Sequence, residues 1–127
     1  MTANLLEGNH RKPNYEDVPT VVFTIPPLAR VGLGEEEARE KRLSFRVNCD
    51  RTPRWFTARQ AAETVMGHKV LIEDGSGRIL GAHLIGLHAD EVINVFALAV
   101  RHGLSAEQLA ETMFAYPTGA SDISSML

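Results

Sequence analysis

The stretch that decides the fold is Pro19-Thr-Val-Val-Phe-Thr-Ile-Pro-Pro-Leu-Ala-Arg-Val-Gly-Leu-Gly-Glu-Glu-Glu-Ala-Arg39. Thr20 to Thr24 is a β-branched and aromatic run suited to a half-buried strand. The Pro26-Pro27 pair ends it, because neither ring nitrogen can donate to a ladder. A second extended piece runs from Ala29 to Leu33. Gly34 then opens a short charged helix, Glu35 to Arg42, with acids first and bases last as the helix dipole prefers. Its charges read as a solvated face with internal ion pairs.

Working outward, Ser44 to Cys49 reads as a strand. Pro53 excludes a regular element at the start of Arg51 to Met66, and Ala58 to Val65 predicts about two helical turns. Lys69 to Glu73 and Arg78 to Leu87 are extended, with Asp74-Gly75-Ser76-Gly77 between them as a hairpin turn. This Gly-x-Gly joins two strands, whereas a dinucleotide fingerprint opens a helix. Ala89 to His102 predicts the longest helix, capped by Asp90 or its neighbour and stopped by Gly103. From Val92 to Val100 its one polar residue is Asn94. A one-sided surface helix shows a polar face, so this helix needs cover on nearly all sides, from a second subunit or from the interior of a monomer. Ser105 caps a further helix to about Thr112, with Glu107 near the N3 position. Phe114 to Leu127 has little periodicity.

Before Pro19 the chain is polar and rich in turn formers, so residues 1–18 are expected to be a connection and residues 19–127 the folded domain. The sum is an α+β domain, an antiparallel sheet of about four to five strands with helices packed on one face.

At 127 residues the chain can bury one core. A formal charge of −3 and a pI near 5.9 argue against nucleic acid or an anionic membrane as partner. No apolar run approaches the roughly 20 residues that span a bilayer. The start, Met1-Thr2-Ala3-Asn4, lacks the features of a signal peptide. With Cys49 as its single cysteine, the chain has no internal disulfide, and a cytoplasmic location is expected. Cys49 itself is expected to be a buried small hydrophobe. The histidines (His10, His68, His83, His88 and His102) show no helical metal spacing, so no metal site is expected. No His and Asp are placed to activate Ser121, Ser124 or Ser125. Trp55 and Phe56 are read as core anchors in preference to a contact surface.

The order of pieces from Pro19 to Arg39 resembles the start of the C-terminal dimerisation domain of the FAD-dependent pyridine nucleotide–disulfide oxidoreductases, the family of glutathione reductase, dihydrolipoamide dehydrogenase and mercuric reductase. Three further motifs follow in the family's order. Gly77-Arg78-Ile79-Leu80-Gly81-Ala82-His83-Leu84-Ile85-Gly86 is similar to its long hairpin strand. Asp90-Glu91-Val92-Ile93 stands where it has Glu-Leu-Ile, and Ala115-Tyr116-Pro117-Thr118 stands at its His-Pro-Thr tail.

The resemblance implies a homodimer, and a parent protein with upstream FAD and NAD(P)H domains. Neither cofactor is held by this chain, which has no helix-opening glycine fingerprint and no redox cysteine pair. In that picture the chain is a domain cut near the junction of Gly8 to Pro19. By the same resemblance Tyr116, Pro117 and Thr118 reach the partner subunit's flavin site, with Tyr116 at the family's catalytic histidine position. Ser121 occupies the place of the paired glutamate, and Asp122 is an acid one residue out of step. A phenol with a pKa near 10 is a poor base where an imidazole near 6.5 is well matched, so disulfide reduction by the parent is in doubt. Electron delivery to a quinone or oxygen is one alternative, and a free-standing interaction module is another. The tail also lacks the paired cysteines of mercuric reductase.

Overall fold

Alternation along the strands builds the sheet. A computed structural model describes residues 2–8, 10 and 12–127. Its element order is α1 (Thr2–Glu7), β1 (Thr20–Val22), β2 (Leu28–Gly32), α2 (Glu35–Glu40), β3 (Phe45–Arg51), α3 (Phe56–Gln60), β4 (Gly67–Glu73), β5 (Ile79–Ile85), α4 (Ala89–His102), α5 (Ala106–Ala110) and a closing 3₁₀ helix, Gly119–Met126. The five strands lie in the order β1-β2-β5-β4-β3, and every neighbouring pair is antiparallel. Ala29 and Val31 of β2, Val70 and Ile72 of β4, and Ala82 and Leu84 of β5 point into one core. The intervening residues face the other way.

Glycine decides where β2 meets β5. Gly32 pairs with Gly81, and a Cβ on Gly81 would run into the backbone of Leu33. The second glycine of the Gly-x-Ile-Leu-Gly motif therefore lets the chain leave β2 close against its neighbour.

Helix α4 lies across the core face and buries Ala89, Val92, Ile93, Phe96 and Ala99, a helical spacing. Gly103 stops it in the left-handed region at φ 64°, as expected. Its N-cap is His88 at φ 62°, not Asp90, which lies inside the first turn. The expectation of cover on nearly all sides is not met within this chain. Glu91, Asn94 and Leu98 are exposed, Leu98 by 58%.

Ser105 caps α5, its hydroxyl accepting from the Gln108 N–H, so the N3 residue of the capping box is Gln108 rather than Glu107. Helix α2 sits on the opposite side of the sheet from α4. There Lys69 Nζ reaches Glu35 Oε1 at 2.7 Å, and Arg39 pairs with Glu35 at 2.6 Å along the helix.

Three further expectations need correction. Helix α3 starts at Phe56 and ends at Gln60, earlier than the propensity of 58–65 suggests, because Ala62 adopts a left-handed φ of 54° that stops it. Cys49 is exposed on β3, on the face away from the core. The closing segment forms a 3₁₀ helix whose Ile123 and Met126 seal the core at 0% and 4% exposure. In the leading segment α1 carries Leu5 and Leu6 exposed.

Candidate functional site

The residues at positions 116–118 form an exposed corner before the 3₁₀ helix. Thr118 is its N-cap, with Oγ1 accepting from the Ser121 N–H at 3.3 Å and donating to Ala115 O at 2.6 Å. Ser121 in turn donates its hydroxyl to Thr118 O at 2.6 Å. Thr118 and Ser121 thus spend their polar groups on holding the corner in shape. Pro117 follows a cis peptide bond from Tyr116. The Tyr116 side chain is 72% exposed, and its ring leans on Phe56 with centroids 5.9 Å apart.

Helix α3 supports this corner from behind, through consecutive residues that the sequence did not single out as a unit. Trp55 stacks on His68 at 5.5 Å, Phe56 meets Tyr116, and the Thr57 hydroxyl donates to Asp122 Oδ2. Asp122 is therefore committed to Thr57. Trp55 packs against the core as expected, whereas Phe56 is 52% exposed.

Between the corner and the start of α4 lies an open cleft of about 510 Å³, lined by His88, Glu91, Val95, Pro117, Thr118 and neighbouring residues. Gly119 permits this approach. A Cβ there would stand 2.9 Å from His88 Cβ and 3.0 Å from Val92 Cγ2, closer than carbon atoms pack. The structure thus sets Pro117 and Thr118 beside His88 and Glu91, which the sequence reading left out of the site, while the Tyr116 ring leans on Phe56. Their joining rests on tertiary packing for which no local pattern exists; the unusual signal is a non-glycine residue, His88, held at positive φ.

His68 is the second special group. It is 5% exposed, and among the described residues neither ring nitrogen has a hydrogen-bond partner. Burial pushes its pKa below the ordinary 6.5, and the nearby Asp50 charge opposes that shift in part. Elsewhere Glu35 is held below the usual carboxylate range by Lys69 and Arg39, Glu37 by the Gly34 N–H, and Glu73 by Ser76 and Arg78. These carboxylates stabilise helix and hairpin ends. Among the described residues there is no group of three or more His, Cys, Asp or Glu able to hold a metal ion, and no helix long and apolar enough to cross a membrane.

This architecture has clear relatives. Residues 18–127 match the family described as pyridine nucleotide-disulphide oxidoreductase, dimerisation domain. The chain belongs to that family. It is 45% identical over 127 residues to an uncharacterized 19.7 kDa protein in the mercuric resistance operon of Staphylococcus aureus, covering all of this chain and 71% of that protein. It is 35% identical to mercuric reductase of Lysinibacillus sphaericus, where 97% of this chain spans only 22% of the relative. Among solved structures, the HOCl-induced flavoprotein disulfide reductase RclA from Escherichia coli superimposes with a TM-score of 0.89 at 28% identity, over 98% of this chain and 29% of that one.

Proposed function

We propose that the chain pairs with a second copy through the outer face of α4 and presents the corner of Tyr116, Pro117 and Thr118 to the partner's flavin site. The observation that carries this reading is Leu98, a large apolar side chain left exposed on the outer face of α4 between Glu91, Asn94 and Arg101. Leu98 is 58% exposed beside half-buried Val95, on the longest helix of a domain whose family is defined by dimerisation. Burying an exposed apolar side chain with a polar rim around it is the usual anatomy of an interface centre.

The chain's own residues suit lining a flavin pocket rather than holding the cofactor. Thr118 and Ser121 are hydrogen-bonded within the corner, leaving the Tyr116 phenol and the Pro117 ring as the groups presented outward. A bound FAD would supply the electron transfer, with NAD(P)H as reductant, from domains outside these residues. Because Ser121 is held in its turn and Asp122 is taken by Thr57, neither residue at or beside the family's paired-acid position is free to orient a base at position 116. That supports an electron acceptor other than a disulfide, such as a quinone or oxygen. We place the protein in the cytoplasm, with residues 1–18 as the connection to the preceding domains.

Sedimentation of the chain at high micromolar concentration tests the pairing. A dimer is expected, and Leu98→Glu is expected to weaken it at least about tenfold by burying a charge. A wild-type monomer refutes the reading.

A second reading is favoured by the Staphylococcus aureus relative. Its 19.7 kDa mass, of which this chain accounts for 71% of the length, leaves little room for two nucleotide-binding domains. In that reading the domain is a free-standing module that pairs with a flavoprotein made as a separate chain. Co-purification of a flavin-bearing partner with the tagged protein from its own cells distinguishes the two.

A further inference from the structure

The contacts of α3 form a chain from a buried titratable ring to the exposed corner. His68, on β4, lies against Trp55, the N-cap of α3, with ring centroids 5.5 Å apart. The next residue, Phe56, meets Tyr116, and the one after it, Thr57, donates its hydroxyl to Asp122. Helix α3 is five residues long, and the Trp55 side chain offers no acceptor to cap it. A helix this short does not persist alone. It is held by packing, through buried Thr57 and Ala58 and these side-chain contacts.

We propose that His68 is a proton-operated latch on the corner: when its ring takes up a proton, α3 lifts from β4 and releases Phe56 from Tyr116 and Thr57 from Asp122. The physical reason is the slot that holds the ring. An imidazolium carries two N–H donors and a charge, and at 5% exposure among the described residues neither nitrogen finds an acceptor. The way to water is through α3, where Trp55 is half-buried and Arg54, Phe56 and Arg59 are exposed. The flanking strands close the other sides, with Asp50 of β3 and Leu84 of β5 opposite His68 in the ladder. Of the charged groups on these elements, Asp50 favours the proton, but its carboxylate already accepts from the Arg51 N–H at 2.7 Å. Asp122 on the closing helix is engaged by Thr57. Arg54 and Arg59 oppose a further positive charge. Lys69, next along β4, turns to the opposite face and pairs with Glu35 at 2.7 Å.

Linkage sets the size of the response. With α3 lifted the ring has its ordinary pKa near 6.5, and in the closed slot it lies lower. Opening therefore gains only as the pH falls through 6.5, by up to about tenfold between pH 7.5 and 5.5. What the corner does at a partner's flavin rests on the pairing reading above, whereas its release is a property of this chain alone.

Amide exchange of the full chain at pH 7.5 and 5.5, corrected for the intrinsic pH dependence of exchange, tests the latch. The reporters are the Arg59 N–H, bonded to Trp55 O at 3.0 Å, and the Ser121 N–H, bonded to Thr118 O at 3.1 Å. Both are expected to be less protected than the β4 amides and to lose up to about tenfold of protection together at the lower pH. His68→Leu is expected to abolish the change at both. Asp50→Asn removes the charge that favours a closed imidazolium, so it is expected to bring the change nearer the full tenfold. Thr57→Val is expected to keep the response at Arg59 and remove it at Ser121. Protection equal to that of β4 would mean that α3 opens only with the whole fold, and the latch would be wrong. No change with pH, a change that persists in His68→Leu, or a response at Arg59 without one at Ser121 likewise overturns it. Sedimentation reads the α4 pairing and exchange reads the latch, so either can fail while the other stands.

Discussion

Replacing His68 by leucine separates the cost of an unpaired buried ring from ordinary packing. In the wild type the imidazole is 5% exposed, stacked on Trp55, and without a partner for either nitrogen among the described residues. An unsatisfied buried polar group costs about 1–3 kcal/mol, and the lost ring stacking is worth about 0.5–1.5 kcal/mol. At pH 7.5 these nearly offset, so His68→Leu is expected to lie within about 1 kcal/mol of the wild type.

The pH dependence is sharper. Burial holds the folded-state pKa below 6.5, so below that pH the unfolded chain binds the proton that the folded chain resists. Stability from the neutral ring is then complete above pH 6.5 and is lost as the pH falls toward the folded pKa. At pH 5.5 the loss is at most about 1.4 kcal/mol, the value for one pH unit. Asp50 on β3 and Asp122 on the 3₁₀ helix, the latter held by Thr57, are the carboxylates on the neighbouring elements. Glu35, Glu37 and Glu73 are held below the usual carboxylate range and so titrate below the window used. Urea denaturation at pH 7.5 and 5.5 measures the difference. The wild type is expected to lose about 1 kcal/mol more than His68→Leu between the two. Equal losses in the two proteins would refute the argument that the buried ring is unpaired.

Other substitutions test the corner and its supports. Gly119→Ala forces a methyl against His88 and Val92 and is expected to cost about 1–3 kcal/mol, read as a lower thermal midpoint. Ser105→Ala removes the α5 cap and should cost about 1 kcal/mol in the same assay, with Ser105→Gly milder. Thr57→Val leaves Asp122 without its hydroxyl donor. It should destabilise by about 1–3 kcal/mol and loosen the tail, seen as faster amide exchange at Ile123 while the β4 amides keep their protection.

Where local chemistry was sufficient, the sequence reading was accurate. The alternation of β2 and β5, the Asp74–Gly77 turn and the Gly103 stop each depend on residues within one turn or one strand of each other. The α4 cap was misplaced because a left-handed His88 does that work with its backbone, and no side-chain preference announces such a position. Exposure of Cys49 went unread because its strand lies on the border of the sheet, and strand order is not a local property. The tail shows the same limit. Ile123 and Met126 have no strong periodic pattern around them, and only the open space beside β4 and α5 makes them core.

The sequence by itself determined the element order, the sheet's inward face and the family motifs, because strand alternation, glycine turns and capping act over a few residues. Only the tertiary structure decided which groups meet. The corner of Tyr116 to Thr118 is assembled from α3, α4 and the tail. Asp122 finds Thr57 across 65 residues of chain, and the outward placement of Leu98 on α4 is set by which side the sheet covers. Such contacts are fixed by packing at a distance, which no short pattern of residues records.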